Sequence, residues 1–138
     1  MTTHAEGLLD TSAVIALPRL VDAAVLPVRP LISAITLAEL SVGPLLTDDR
    51  AERARRQRNL QRAEADFEPL PFDADAARAF GQVAASMRRT GRKPAARTYD
   101  AMIAAVAVAN GLPLYTANPR DFGGIESLTV VPVPPSAV

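Results

Sequence analysis

Short apolar runs alternate along this chain with longer segments in which apolar residues recur every three or four positions. Short apolar runs bounded by polar or turn-forming residues are typical of buried strands, and the longer period is typical of helices. The runs predict strands over 7–9, 30–33, 68–72, 112–116 and 128–133. The periodic segments predict helices over 13–17, 35–42, 48–66, 73–90 and 98–108. Ser33 and Asp73 are predicted to cap the second and fourth of these helices, and Asn110 and Gly111 to end the fifth. This alternation predicts a three-layer α/β domain with a mostly parallel central sheet.

Four acidic residues fall near the ends of these strands or in the helices that follow them, namely Asp10, Glu39, Asp100 and Asp121. In sheets of this kind, ligands bind at the carboxyl ends of the strands, where the winding direction reverses. Three of the acids also have simpler interpretations. Asp10 could cap a helix, as could Thr11 or Ser12, Asp100 could favour a helix N-terminus through the dipole, and Asp121 lies in a turn sequence.

Glu39 is harder to explain as a structural residue, because apolar residues flank it in a helix without Lys or Arg. A buried lone carboxylate loses hydration, and several buried together repel one another. A divalent cation relieves both problems, and a site of oxygen ligands favours Mg²⁺ or Mn²⁺. Such ions activate water and neutralise charge on a phosphodiester, which is the chemistry of a nuclease.

Composition narrows the other possibilities. The 138 residues fit one compact domain, with a core over about 7–133 and a loose tail over 134–138. The chain has no Cys, His4 is its single histidine, and its formal net charge is zero. These counts argue against thiolate, zinc-finger and Ser-His-Asp chemistry and against a polycation. The absence of a long apolar run and of a secretory signal leads us to expect a cytoplasmic protein that does not span a membrane.

Four ordered motifs carry a resemblance to a known family. They are Leu-Leu-Asp10-Thr-Ser-Ala-Val-Ile, Ser33-Ala-Ile-Thr-Leu-Ala-Glu39-Leu, Tyr99-Asp100-Ala-Met-Ile-Ala-Ala and Leu114-Tyr-Thr-Ala-Asn-Pro-Arg-Asp121-Phe. Together they resemble the successive motifs of PIN-domain ribonucleases, above all the VapC toxins of bacterial toxin–antitoxin modules. The resemblance implies an α/β/α sandwich, Mg²⁺- or Mn²⁺-dependent cleavage of RNA, and inhibition by a VapB-type antitoxin. It also implies a homodimer, since similar toxins are often dimers.

The resemblance also assigns residues. It implies that Asp10, Glu39 and Asp100 are catalytic metal ligands and that Asp121 is the fourth, although some relatives have the fourth acid at the position of Asn118. The hydroxyl and amide side chains expected to orient carboxylates or waters around the ion are those of Thr11, Ser12, Thr116 and Asn118. The hydroxyls could equally be helix caps and strand-end polar groups.

Because the net charge is zero, RNA binding must depend on local basic patches. The run without an acid before Asp100 is the better candidate for a phosphate groove and comprises Arg88, Arg89, Arg92, Lys93 and Arg97. The Arg-rich stretch 50–62 is more simply a solvated helix face or an antitoxin contact.

Three other classes of protein share part of this pattern. A receiver domain would have adjacent acids after its first strand and a late Lys, and a haloacid-dehalogenase-like phosphatase would have an Asp where Ser12 stands. Both therefore rank low. A non-catalytic PIN-like domain that binds RNA or serves as a scaffold is the serious alternative, and metal-dependent cleavage of RNA would separate it from a nuclease.

Overall fold

The computed structural model describes residues 4–93 and 97–134 and contains a four-stranded sheet. The strands are β1 (Glu6–Leu9), β2 (Arg29–Ile32), β3 (Leu114–Thr116) and β4 (Val130–Pro132), in the spatial order β2-β1-β3-β4. Each pair of neighbouring strands is parallel. The α-helices of the described residues are α1 (Thr11–Ala16), α2 (Ala34–Val42), α3 (Arg50–Asp66), α4 (Ala74–Arg89) and α5 (Thr98–Ala109).

Alternation along the strands divides the apolar core into two layers, because successive strand side chains point to opposite faces of a sheet. Leu8 and Leu114 pack with α4 and α5 on one face. Leu9 and Tyr115 pack with α1 and α3 on the other face. The predicted α/β sandwich with a mostly parallel sheet is therefore confirmed, and both faces of β1 and β3 are covered by helices.

The chain reverses its winding direction between β1 and β3. It leaves β1 for β2 on one side of the sheet and later returns to place β3 against the other side of β1. The loops after these two strands consequently diverge and leave a crevice at the carboxyl edge of the sheet. Asp10 directly follows β1, and Thr116 ends β3 at this edge.

Side chains at the starts of four helices accept backbone hydrogen bonds, as N-caps do. Ser33 and Asp73 occupy the cap positions that the sequence predicted, and Asp49 caps α3. Asp10, and neither Thr11 nor Ser12, caps α1 by accepting a hydrogen bond from the amide of Ala13. The capping interpretation of Asp10 is therefore confirmed, and it leaves a second carboxylate oxygen for other contacts.

The predicted strand over 68–72 is wrong. Within it, Leu70 alone forms a single parallel bridge, to Ser33. Pro69 and Pro71 lack the N–H groups that a strand would donate, so the pairing cannot extend to either side. The predicted strands 112–116 and 128–133 shorten to Leu114–Thr116 and Val130–Pro132. Of the predicted tail, residues 135–138 lie outside the described part.

Among residues 4–93 and 97–134, no helix has the length and apolar character needed to cross a membrane.

Candidate functional site

The structure brings the four predicted acids together at the carboxyl edge of the sheet, although they come from distant parts of the chain. We call Asp10, Glu39, Asp100 and Asp121 the acidic cluster. Asp10 follows β1, Glu39 lies in α2, Asp100 lies in the first turn of α5, and Asp121 lies in the short 3-10 turn Pro119–Phe122 after β3. Asp10 and Asp100 interact electrostatically with each other and with another member of the cluster.

Asp10 is the most enclosed member of the cluster and is only 4% exposed. Its Oδ1 accepts hydrogen bonds from the hydroxyl of Ser12 at 2.7 Å and the amide of Ala13 at 2.9 Å. Its Oδ2 accepts a hydrogen bond from the hydroxyl of Thr116 at 2.6 Å. These bonds hold the carboxylate in one orientation, with β1, α1 and β3 each supplying a constraint.

The hydroxyls of Ser12 and Thr116 are themselves held by backbone amides. Ser12 Oγ accepts a hydrogen bond from the amide of Ala117 at 3.0 Å, and Thr116 Oγ1 accepts one from the amide of Asn118 at 3.0 Å. Each hydroxyl proton is thereby directed toward Asp10. The loop after β3 and the start of α1 thus form one polar network around this carboxylate.

Glu39 is bound to α1 through Thr11, whose hydroxyl donates to Oε1 at 2.7 Å. The same hydroxyl lies 3.1 Å from Oγ1 of Thr36, which is fully buried in α2. Thr11 therefore fixes the position of Glu39 relative to the first turn of α1. Thr36 is a member of this network that the sequence did not identify, and its Ser-Ala-Ile-Thr context offered only a helix N-terminus as a signal.

Arg97 lies between the two remaining acids. Its Nη1 is 2.9 Å from Oδ1 of Asp121 and 3.5 Å from Oδ2 of Asp100, and both carboxylates are 28% exposed. The sequence grouped Arg97 with the basic run expected to bind RNA. The structure instead places its guanidinium as a counterion within the acidic cluster.

Burial raises the pKa of three members of the cluster above the ordinary carboxyl value. For Asp10, loss of hydration raises the pKa, while the bonds from Thr116, Ser12 and Ala13 lower it in part and nearby Asp121 raises it further. For Glu39, loss of hydration again dominates, opposed by the bond from Thr11 and reinforced by Asp100 and Asp10.

For Asp100, loss of hydration raises the pKa most, and repulsion by Asp121 and Asp10 raises it further. The charge and hydrogen bond of Arg97 only partly offset this increase. The folded protein without a bound cation therefore disfavours the full negative charge of the cluster. This unfavourable charge is the property that a cation at the cluster would relieve.

These directions predict how stability depends on pH in the absence of divalent cations. The pKa of Glu39 is higher in the folded than in the unfolded protein. Its contribution to the free energy of unfolding is therefore fully present below the pKa of the unfolded protein, near pH 4, and is lost as pH rises through the raised pKa of the folded protein. We expect the Glu39→Gln variant to gain stability relative to the wild type across this interval. Urea unfolding in EDTA at a series of pH values measures the difference, and Glu64→Gln, an exposed change on α3, is the control. A difference that does not change with pH would contradict the expectation.

Asn118 and Asp121 differ in their relation to the cluster. Asp121 interacts electrostatically with Asp10 and Asp100, whereas Asn118 is exposed and its side chain forms no capping hydrogen bond. The carboxylate of Asp121 is therefore the better-placed candidate for a fourth ligand. Asn118 contributes its backbone amide, through Thr116.

The donor chemistry of the cluster fits a hard divalent cation, since its candidate ligands are all carboxylate oxygens. As they stand, however, no three His, Cys, Asp or Glu side chains in the described ranges are close enough to hold a metal ion. Arg97 explains part of this spacing, because its guanidinium separates Asp100 from Asp121. Binding an ion at the cluster would therefore require the carboxylates to draw closer together.

The other members of the predicted RNA-binding run occupy varied positions. Arg88 and Lys93 are exposed, and Arg89 forms an ion pair with Glu126 at 3.3 Å. Arg92 donates to the backbone carbonyls of Gly123 and Arg120 and thereby ties α4 to the loop after β3. Within this run, Arg92 consequently has a structural role that the sequence did not indicate.

Comparison with known proteins agrees with this geometry. A family model described as the PIN domain matches residues 7–125. The chain is 39% identical to ribonuclease VapC5 of Mycobacterium tuberculosis over 134 residues, which are 96% of either chain. It is 35% identical to ribonuclease VapC8 of the same species over 101 residues, covering 73% of this chain and 89% of the relative.

Solved structures give the same result. The VapBC-5 toxin–antitoxin structure from M. tuberculosis matches with a TM-score of 0.79 and 37% identity, over 94% of this chain and 99% of that one. DNA-bound VapBC from Salmonella typhimurium matches with a TM-score of 0.68 and 30% identity, over 91% of this chain and 96% of that one. The ribonucleases of this group generally depend on divalent metal ions. The chain therefore belongs to the PIN-domain family and, within it, to the VapC-type ribonucleases.

Proposed function

We propose that this protein hydrolyses phosphodiester bonds of RNA at the acidic cluster, with Mg²⁺ or Mn²⁺ held by Asp10, Glu39, Asp100 and Asp121. The observation that carries the proposal is the convergence of four carboxylates from four separate elements at the crevice beside β1 and β3. Three of them have raised pKa values, so holding them together in ionised form destabilises the folded protein. Groups with such perturbed pKa values are typical of functional sites.

When bound, the ion would lower the pKa of a water molecule and neutralise charge on the leaving oxygen of the phosphodiester. The chain's own residues set the geometry of that chemistry. Ser12, Thr116 and the amide of Ala13 fix Asp10 in one orientation. Preorganised ligands of this kind do not have to be reordered when the substrate arrives.

Glu39 is held in a fixed position at the cluster. Its Oε1 accepts a hydrogen bond from Thr11, and this bond keeps the side chain against α1. Glu39 also interacts electrostatically with Asp100 and Asp10, which supports one ion shared by these carboxylates.

Arg97 offsets part of the negative charge of the cluster in the metal-free protein. Released from Asp121 or Asp100 by the ion, its guanidinium would remain close enough to pair with an incoming phosphate, for which arginine provides two parallel donors. The same side chain would thus pair with the acids in the metal-free protein and with a phosphate of the substrate after the ion has bound.

The structural relatives from M. tuberculosis and S. typhimurium are toxin–antitoxin assemblies. We therefore propose that a VapB-type antitoxin binds this chain and inhibits its cleavage of RNA. A homodimer also remains a prediction, which analytical ultracentrifugation of the purified chain would check.

Metal-dependent cleavage tests the proposed activity. The full chain, freed of metal with EDTA and dialysed, should cut single-stranded and structured RNAs only after addition of Mg²⁺ or Mn²⁺. Calcium, which prefers more ligands at longer distances, should support weaker cleavage. Binding of RNA without cleavage in any of these ions would contradict hydrolysis and favour a non-catalytic RNA-binding or scaffolding role.

A further inference from the structure

We propose that the cleft between the end of α1 and the exposed face of α3 binds a backbone phosphate of the RNA, next to the bond cut at the acidic cluster. This inference rests on the proposed function, because it assumes that RNA lies across the cluster. The ligand it names is a phosphodiester group. The cleft lies on the Arg-rich stretch for which the sequence favoured a solvated face or an antitoxin contact.

The cleft is small and dominated by positive charge. It has a volume of about 220 Å³. Its polar lining comes from Asn59 and from four arginines, namely Arg19, Arg55, Arg58 and Arg62. Three of these arginines share one face of α3, since residues three and four apart lie above one another on a helix. The guanidiniums thus converge on one concavity.

Arg62 supplies a specific reason for a ligand. Its Nη1 is a buried polar side-chain atom without a hydrogen-bond partner within residues 4–93 and 97–134. A buried donor left unpaired costs stability, and a turn of the guanidinium toward the cleft would let an anionic oxygen there accept that hydrogen. Neither Arg58 nor Arg62 forms an ion pair with another described residue, while Arg55 pairs with Glu52. Two of the cationic groups in the cleft are therefore not neutralised by a carboxylate of residues 4–93 or 97–134.

The position of the cleft favours RNA over a carboxylate of a protein partner. Ile15, which lines the cleft, follows Thr11 by four residues on α1, and Thr11 holds Glu39 of the acidic cluster. Four residues of helix rise about 6 Å, and they return to the same helix face. The cleft thus lies about one helical turn along α1 from the cluster, within reach of the same RNA strand.

The course of α3 supports this placement. Near its start, Arg56 donates to the carbonyl of Gly43 at the end of α2, and after its end Leu70 bonds with Ile32 and Ala34 at the start of α2. The helix α3 therefore runs back along α2. Arg58 and Arg62 lie in the middle of this antiparallel pair, and Glu39 lies within α2.

Three of the five basic residues in the run Arg88 to Arg97 already have protein partners in the metal-free protein. Arg89 pairs with Glu126, Arg92 bonds to loop carbonyls, and Arg97 lies between two acids. A strand of RNA held at the cluster needs a phosphate contact to one side of the cut bond if it is to be positioned for reaction. The cleft on α3 supplies that contact from Arg58 and Arg62, which no carboxylate of the described residues neutralises.

The test measures RNA binding in EDTA, so that its result does not depend on cleavage. The full-length double variant Arg58→Gln with Arg62→Gln is compared with Arg50→Gln with Arg53→Gln, which removes the same charge from another groove of α3. A fluorescently labelled single-stranded RNA of ten nucleotides serves as the probe. For the cleft variant we expect affinity to fall about tenfold or more, because charge-assisted hydrogen bonds are lost. The slope of log K against log salt should become shallower by about 0.7, the value for one phosphate on a single strand.

The control variant should retain most of its affinity and its salt slope. The cleft variant should also melt at the wild-type temperature or above it, since it loses a buried unpaired donor. The single variant Arg58→Gln repeats the test at an exposed side chain whose loss does not threaten folding. Unchanged RNA affinity in the cleft variant, or equal losses in both double variants, would overturn the proposal.

Loss of binding to an acidic protein partner, with RNA affinity retained, would likewise overturn it in favour of a carboxylate ligand. The proposed hydrolysis fails by a different result. A chain that binds RNA through this cleft but cuts none in Mg²⁺ or Mn²⁺ would refute hydrolysis alone.

Discussion

Replacing Asp100 by asparagine is expected to lower the rate of RNA cleavage by orders of magnitude while the protein stays folded. The amide has nearly the same shape as the carboxylate but lacks the charge that attracts a divalent ion. Asp100 lies in the first turn of α5 and interacts with Asp121 and Asp10 within the acidic cluster. Cleavage rates in Mg²⁺ for the wild type and the variant measure the effect.

The same variant should retain its stability without metal, within about 1 kcal/mol. Loss of a favourable charge near a helix N-terminus costs about 0.3–1 kcal/mol. Relief of repulsion within the cluster acts in the opposite direction, and Arg97 keeps its contact with Asp121.

Asp22→Asn provides the matched control, because exposed Asp22 caps the short turn Ala23–Val25 and asparagine caps nearly as well. This control should cleave RNA at the wild-type rate and melt at nearly the wild-type temperature. Near wild-type cleavage by Asp100→Asn would overturn the assignment of Asp100 to the metal site. Equal losses in both variants would point to damage unrelated to the cluster.

Divalent metal should stabilise the folded protein substantially. An ion that binds only the folded state at a hundredfold excess over its Kd adds about 2.7 kcal/mol to the free energy of unfolding. Here the ion would also compensate the loss of hydration, and relieve the repulsion, that raise the pKa values of Asp10, Glu39 and Asp100. Thermal melting in EDTA, in Mn²⁺ and in NaCl of equal ionic strength measures this gain.

The stabilisation that metal binding adds should also depend on Arg97. Arg97 offsets part of the negative charge of the cluster in the metal-free protein. Arg97→Gln should therefore be less stable than the wild type without metal and should gain more stability from Mn²⁺. Asp100→Asn should gain less stability from Mn²⁺ than the wild type does. A wild-type melting temperature that does not respond to millimolar Mn²⁺ would contradict metal binding at the cluster.

Much of the fold follows from patterns that are local in the sequence. Ser33 and Asp73 cap helices where the sequence predicted, and Asn110 and Gly111 end α5 as expected. Apolar runs at 7–9 and 30–33 became paired strands. These predictions succeed because helix caps and strand alternation depend on interactions between residues that are close in the chain.

The predictions that failed or changed concern pairing between distant segments. The run 68–72 has strand-like composition, yet two prolines limit it to one bridge at Leu70. The run of positive charge from Arg88 to Arg97 gave no indication that Arg92 would bind loop carbonyls or that Arg97 would enter the acidic cluster. The sequence does not specify which group will neutralise a charged side chain, because folding alone brings the two groups close together.

By itself, the sequence determined the class of fold, the family and the identity of four acids placed near strand ends. It could do so because strand and helix periods, together with motif order, are encoded along the chain. The tertiary structure alone decided how those acids are held and neutralised. Thr116 orients Asp10 across more than a hundred residues of sequence, and Arg97 lies between Asp100 and Asp121. Burial, repulsion and counterion placement depend on distances in space, which arise only when the strand order brings these segments to one edge of the sheet.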